Sequence, residues 1–135
     1  MGLLIVYTGN GKGKTTAALG LVFRALGHGW RTAFLQFIKG DRGTGEARFA
    51  GGLSGLLDFR TLGRGFVLPG REREKDRDAA LSAWEQARDA VLSGRFRLVV
   101  LDEFTYLFRY GFLEVGEALR VFRERPENVH VVVTG

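Results

Sequence analysis

One stretch dictates how this fold begins: Thr8–Thr16, T-G-N-G-K-G-K-T-T. The apolar run Leu3-Leu4-Ile5-Val6-Tyr7 precedes it, and Ala17-Ala18-Leu19-Gly20-Leu21-Val22 follows with helical character. A strand entering a glycine-rich turn that opens a helix with Gly-Lys-Thr is a phosphate-binding loop. Glycines let successive backbone N–H groups point into one concavity suited to phosphate oxygens. The helix start adds unpaired N–H groups and the positive end of its dipole. Lys14 brings a mobile positive charge to the β/γ-phosphates, and the Thr15 hydroxyl is placed to hold Mg²⁺. The spacing departs from G-x-x-x-x-G-K-[ST] at one position. Counting back from Gly13, the first glycine belongs at residue 8, where Thr8 stands; Gly9 comes one step late. A tighter loop is expected. An ordinary glycine-rich turn is the bland alternative, and strand, lysine, threonine and helix falling together weigh against it.

The rest of the composition narrows the class. A chain of 135 residues, 45% hydrophobic and 26% charged, suits one domain with a proper core. No run approaches the eighteen apolar residues of a membrane span. Leu3–Tyr7 is too short for a signal-peptide core and has no basic flank, so a cytoplasmic protein is expected. There is no cysteine, and the two histidines, His28 and His130, are far apart, which argues against disulfides and zinc. The net charge of +5 favours anionic partners, nucleotide or nucleic acid, without choosing between them.

Taken in order, strands are expected at Leu3–Thr8, Arg31–Phe37, Leu57–Leu62, Phe96–Asp102 and Val129–Thr134. The first is apolar without alternation, as for a strand covered on both faces. The first helix spans Lys14–Leu26, with Ala18, Leu21, Val22 and Ala25 inward, and His28 is read as a helix-end residue near the dipole's negative pole. A short helix is expected at Glu46–Ala50. A long one opens with the alternating charges of Arg71–Asp78 as its solvated start and continues with Ala80, Leu81, Trp84, Ala87, Val91 and Leu92 inward. A last helix covers Leu113–Arg123, with Val115, Leu119 and Phe122 inward. In open α/β sheets ligands bind beyond the carboxyl ends of strands, which places Gln36, Lys39 and Glu46 where a ligand would lie. The loop Gly63–Gly70 is apolar at its middle, and on the residues alone Phe66 belongs in the core.

Leu98-Val99-Val100-Leu101 ending in Asp102-Glu103 has the Walker B pattern, an acid at the end of a buried strand able to hold Mg²⁺ directly or through water. The alternation of strands and helices predicts an α/β fold of the P-loop NTPase (RecA-like) type. Its sheet would be mostly parallel with helices on both faces, a three-layer α/β/α sandwich. To this point the residues describe a domain for Mg²⁺ and a nucleoside triphosphate, with the reaction open.

The motifs together resemble one family. T-G-N-G-K-G-K-T-T, Q-F-I-K-G with Gly45-Glu46 behind it, G-x-G-F at Gly63–Phe66, V-L-D-E-F-T-Y at Val100–Tyr106 and Arg125-Pro126 with the final Val-Thr-Gly are similar to those of the P-loop ATP:corrinoid (cob(I)alamin) adenosyltransferases. The similarity runs along nearly the whole chain, and the shifted glycine belongs to that family's loop. It implies transfer of the 5′-deoxyadenosyl group of ATP to the Co(I) of a reduced corrinoid, with tripolyphosphate leaving.

By residue, the resemblance puts Gly9, Asn10, Gly11, Lys12, Gly13, Lys14, Thr15 and Thr16 on the triphosphate. Thr15 and Glu103 handle Mg²⁺ (or Mn²⁺), with Asp102 beside them; Gln36, Lys39, Glu46 and Arg73 are further ATP-site residues. It moves Phe66 from the core to the corrin, where an apolar wedge displaces the lower axial ligand and eases reduction to Co(I). It further implies a homodimer and a reductase protein as partner, with neither nucleic acid nor membrane.

Two departures accompany it: Leu68 stands where the family usually has tryptophan, and family members continue past V-[IV]-T-G with an arginine, a helix and a last strand. Residues 1–135 are accordingly read as a single P-loop domain without that C-terminal strand and helix, leaving an open sheet edge after the fifth strand. A generic P-loop ATPase or kinase, and a non-catalytic nucleotide-dependent binding module, are the competing readings.

Overall fold

The structure is a computed structural model that describes residues 1–37, 45–52, 55–62 and 73–135. In chain order the elements are β1 (Leu4–Tyr7), α1 (Lys14–Gly27), β2 (Thr32–Gln36), α2 (Gly45–Ala50), β3 (Leu57–Thr61), α3 (Arg73–Leu92), β4 (Leu98–Asp102), α4 (Tyr106–Arg109), α5 (Val115–Glu124) and β5 (His130–Thr134). The strands form one sheet in the order β1-β5-β4-β2-β3, every pair parallel. Parallel neighbours require crossovers, and helices supply them on both faces. α1 covers one face, with Ala18, Val22 and Ala25 against Phe34, Val100 and Val132. α3 and α5 cover the other, where Trp84, Phe104 and Phe122 pack over Leu35, Leu101 and Val131. The expected three-layer parallel α/β fold is present. No described helix is long and apolar enough to cross a membrane.

The sheet order corrects one expectation. β5 does not lie at an open edge; it sits between β1 and β4. Val131, Val132 and Val133 are buried, as suits a strand with neighbours on both sides. Among the described strands the edges are β1 and β3, with β1 the one beside β5. Ile5 and Tyr7 pack on the α1 side, whereas Leu4 and Val6, 38% and 54% exposed, turn to the other face. An unbroken apolar run therefore did not mean cover on both sides.

Two helix stripes also differ. α3 meets the sheet through Ala80, Ala83, Trp84, Ala87, Ala90 and Val91, all buried. Leu81 lies about 100° round the helix from Ala80 and is exposed. On α5 the buried residues are Ala118, Val121 and Phe122, while Val115, the first helical residue, is half exposed. In both helices buried alanines share the inward face, Ala83 and Ala90 on α3 and Ala118 on α5. His28 is the C-terminal cap of α1, as expected.

Candidate nucleotide site

The site gathers at the carboxyl ends of β1, β5, β4 and β2. Its loop needs two of its glycines for conformational reasons. Gly9 has φ 129° and Gly13 has φ 106°, a region costing other L-residues about 1–2 kcal/mol. Gly13 is the N-cap of α1 and offers no side chain to the first turn. The amides there remain directed at whatever enters the loop. Lys14 arches back, its Nζ donating to the carbonyl oxygens of Gly9 (2.7 Å) and Gly11 (2.8 Å). Those bonds hold the loop in shape and can be exchanged for stronger ones to phosphate oxygens. Asn10, Gly11 and Lys12 are exposed at the rim. Thr8, in the glycine's expected place, makes a contact that glycine could not. Its hydroxyl donates to the backbone oxygen of Gly135 (3.1 Å), tying the loop's first residue to the end of β5.

Beside the loop, adjacent strands each end in a polar residue at one level. Tyr7 pairs with Thr134, and Gln36 pairs with Asp102. Asp102 is 2% exposed and engaged on both oxygens. Its Oδ1 accepts from the Thr15 hydroxyl (2.8 Å) and the Thr134 hydroxyl (2.7 Å), and its Oδ2 from Gln36 Nε2 (3.4 Å). A carboxylate this buried is tolerable because those donors replace its water.

Glu103 follows in an unusual backbone state, with φ 59°, the sole positive value outside glycine among the described residues. Its amide donates to Thr134 Oγ1 (2.9 Å). Burial raises the Glu103 carboxyl above its ordinary range, repulsion from Asp102 adds to that, and Lys14 opposes it. Strain of this kind, in a turn the surroundings over-determine, is a mark of functional sites.

Thr15, Asp102 and Glu103 thus present hard oxygen donors beside Lys14 and the loop amides. Among the described residues no group of three or more His, Cys, Asp or Glu forms a metal cage. Mg²⁺ does not need one; it takes one or two carboxylates and completes its shell with water and substrate phosphates. The donor set fits that ion.

Of the residues expected from sequence, Lys14, Thr15, Gln36, Asp102 and Glu103 come together here. Glu46, in the first turn of α2, lines an apolar cleft of about 200 Å³ with Leu19, Val22 and Phe49. Lys39, Phe66 and the side chain of Arg73 lie outside the described residues. Thr8 and Thr134 both lie in motifs that the sequence analysis singled out, yet neither receives a role there. The available clue to Thr134 was positional: like Gln36 and Asp102, it is the polar residue that terminates an apolar strand.

Comparison with known proteins agrees with this geometry. The sequence model of the family described as "ATP:corrinoid adenosyltransferase BtuR/CobO/CobP" matches residues 1–135. A corrinoid adenosyltransferase of Sinorhizobium sp is 42% identical over 136 residues, covering 99% of this chain and 64% of that protein. Those of Pseudomonas aeruginosa and Escherichia coli K12 are 40% and 38% identical over 134 residues, covering 66% and 67% of their lengths. The chain spans about two thirds of the length of the curated relatives it matches. On the full-length family match, it belongs to the ATP:corrinoid adenosyltransferase family.

Proposed function

We propose that the chain transfers the 5′-deoxyadenosyl group of ATP to the Co(I) of a reduced corrinoid, releasing tripolyphosphate. The observation that carries this reading is the convergence of Lys14, Thr15, Asp102 and Glu103 on one phosphate loop, in a chain of that family. Co(I) attacks the ribose C5′ with an electron pair. The Co–C bond forms, the C5′–O bond breaks, and its electrons leave with the triphosphate. Negative charge grows at the α-phosphate end. The loop amides are set to stabilise it, and Lys14 joins them once it exchanges its bonds to Gly9 and Gly11 for phosphate oxygens. Thr15 and Glu103 would hold Mg²⁺ (or Mn²⁺), with Asp102 fixing the Thr15 hydroxyl; when bound, the ion supplies further positive charge to the leaving group. No general base is required, because Co(I) carries no proton to remove. The corrinoid supplies the hard chemistry, and the protein supplies position.

The same reading puts Gly9–Thr16, Gln36, Lys39, Glu46 and Arg73 on the ATP side and Phe66 against the corrin. It includes a homodimer in the cytoplasm and a reductase protein that delivers the electron. The test is a product assay with ATP, Mg²⁺ and chemically reduced cobalamin. A light-sensitive alkyl-cobalt product together with tripolyphosphate is expected. ADP or orthophosphate released with the corrinoid unchanged would sink the reading in favour of a generic P-loop ATPase.

A further inference from the structure

We infer that Thr134 is a positioning residue, whose single hydroxyl sets both acids of the site against the phosphate loop. The inference rests on the Mg²⁺–ATP reading above. It starts from the sheet order. Because β5 separates β1 from β4, the loop-bearing strand and the acid-bearing strand share no hydrogen bonds. β5 is the strand that hydrogen-bonds to both, and its end, Thr134 with Gly135, adds a second link to the direct Thr15–Asp102 bond.

The contacts there are dense and directional. Thr134 Oγ1 donates to Asp102 Oδ1 (2.7 Å) and accepts from the Glu103 amide (2.9 Å). The hydroxyl thus spends its proton on one acid and a lone pair on the backbone of the next. The Thr134 carbonyl accepts from the Phe104 amide (2.9 Å), bracketing Glu103 from its other side. Toward the loop, Gly135 N–H donates to the Tyr7 carbonyl (3.1 Å), and the Thr8 hydroxyl returns a bond to Gly135. Gly135 also packs so closely on Thr105 that a Cβ there would collide with that side chain. Thr134 is 0% exposed, so no water can substitute for its hydroxyl.

Glu103 gives the contact its purpose. Its left-handed backbone would relax if the amide lost its acceptor, and the carboxylate would swing with it. Asp102 would at the same time lose one of the two hydroxyl donors that hold Oδ1 toward Thr15. One side chain that touches no ligand therefore governs both groups that would face the cation. Threonine fits better than serine for a mundane reason as well: its methyl completes a β-branched row with Val131–Val133 and restricts the χ1 that aims the hydroxyl.

The experiment compares Thr134→Val, which keeps shape and loses the hydroxyl, with Thr134→Ser, which keeps the hydroxyl. ATP affinity is measured by calorimetry in Mg²⁺ and in EDTA, with thermal unfolding of the nucleotide-free protein alongside. Thr134→Val is expected to lower affinity in Mg²⁺ by about tenfold or more, the usual effect of losing a residue that orients a metal ligand. Affinity in EDTA should stay within about twofold, since the loop itself is intact. Thr134→Ser should restore most of the Mg²⁺-dependent part. Equal losses in Mg²⁺ and EDTA would reduce Thr134 to a structural residue and overturn the inference, as would a serine variant no better than valine. If the wild type binds ATP no better with Mg²⁺ than without, the reading of the site fails and takes the inference with it. If the wild type shows the dependence and Thr134→Val retains it, the inference alone falls.

Discussion

The two ends of β4 and β5 are built on opposite principles. At the amino ends, Leu98 pairs with His130, and the chain satisfies itself. His130 stacks on Trp30 with centroids 5.5 Å apart and planes 3° apart, and the Arg97 guanidinium lies 4.3 Å over the Trp30 ring. His130 Nδ1 accepts from the Leu3 amide (3.1 Å), and Gly2 is buried against Val129 with no room for a side chain. At the carboxyl ends of the same strands stand a strained glutamate, a loop that demands glycine, helix-start amides without a side-chain cap and a lysine folded onto its own loop. One end closes the fold by stacking and packing. The other keeps charge and strain in readiness for a ligand, and its local rules are broken where function asks for it.

The difference can be tested from the largest effect down. Lys14→Ala should weaken ATP binding by about 2–3 kcal/mol, roughly 30- to 150-fold, the worth of charged hydrogen bonds to phosphate. Unfolding of the nucleotide-free variant should shift by no more than about 1 kcal/mol. A large loss of stability with ATP affinity retained would reverse the roles assigned to the two ends. Gly2→Ala is the mirror case. A Cβ there would run into the Val129 carbonyl, so about 1–3 kcal/mol of stability should be lost in urea titration, with ATP affinity unchanged in the folded fraction.

Glu103→Gly should do something rarer, raising stability while removing function. Relief of the left-handed glutamate is worth about 1 kcal/mol, and Mg²⁺-dependent ATP affinity should fall together with that gain. A destabilised variant would show that φ 59° is comfortable, and the contrast between the ends would lose its best support.

The smallest effect is a pH dependence at the amino end. Burial first, then Arg97, the chain's amino group and Arg125, lower the His130 pKa from its ordinary 6.5. A base with a lowered folded pKa binds fewer protons folded than unfolded. Its contribution is therefore fully present above pH 6.5 and is lost as pH falls from there through the folded value. Thermal melts between about pH 7.5 and 5 should show the decline, and His130→Gln should flatten it. A profile identical in both proteins would remove His130 from the account.

The phosphate loop, the Asp102-Glu103 pair and the order of strands and helices were legible because each is local. A glycine-lysine-threonine run at a strand–helix junction, or an apolar run ending in two acids, carries its meaning within about ten residues. Gln36 was also found, from the rule that ligands gather at strand ends. Thr134 was seen as part of the final Val-Thr-Gly but given no role, since nothing near it in the chain announces that Asp102, 32 residues earlier, shares its hydroxyl. Leu81 and Val115 are expected inward on apolar character alone, whereas the packing of the helices leaves both exposed and buries Ala83, Ala90 and Ala118.

The shifted glycine shows where the division falls. By itself the sequence determined that residues 8–16 form a glycine-rich strand-to-helix loop suited to phosphate, because glycine torsions, a lysine and a helix start are local physics. It also determined a parallel α/β sandwich, because a repeated strand–helix pattern leaves few other ways to bury apolar faces. Only the tertiary structure decided that β5 enters between β1 and β4 and leaves β1 at the edge. Strand order depends on non-local hydrogen bonds, for which a valine-rich strand is equally suited at several places. That choice gives Thr8 a partner in Gly135 and makes Thr134 the hinge-pin between loop and acids.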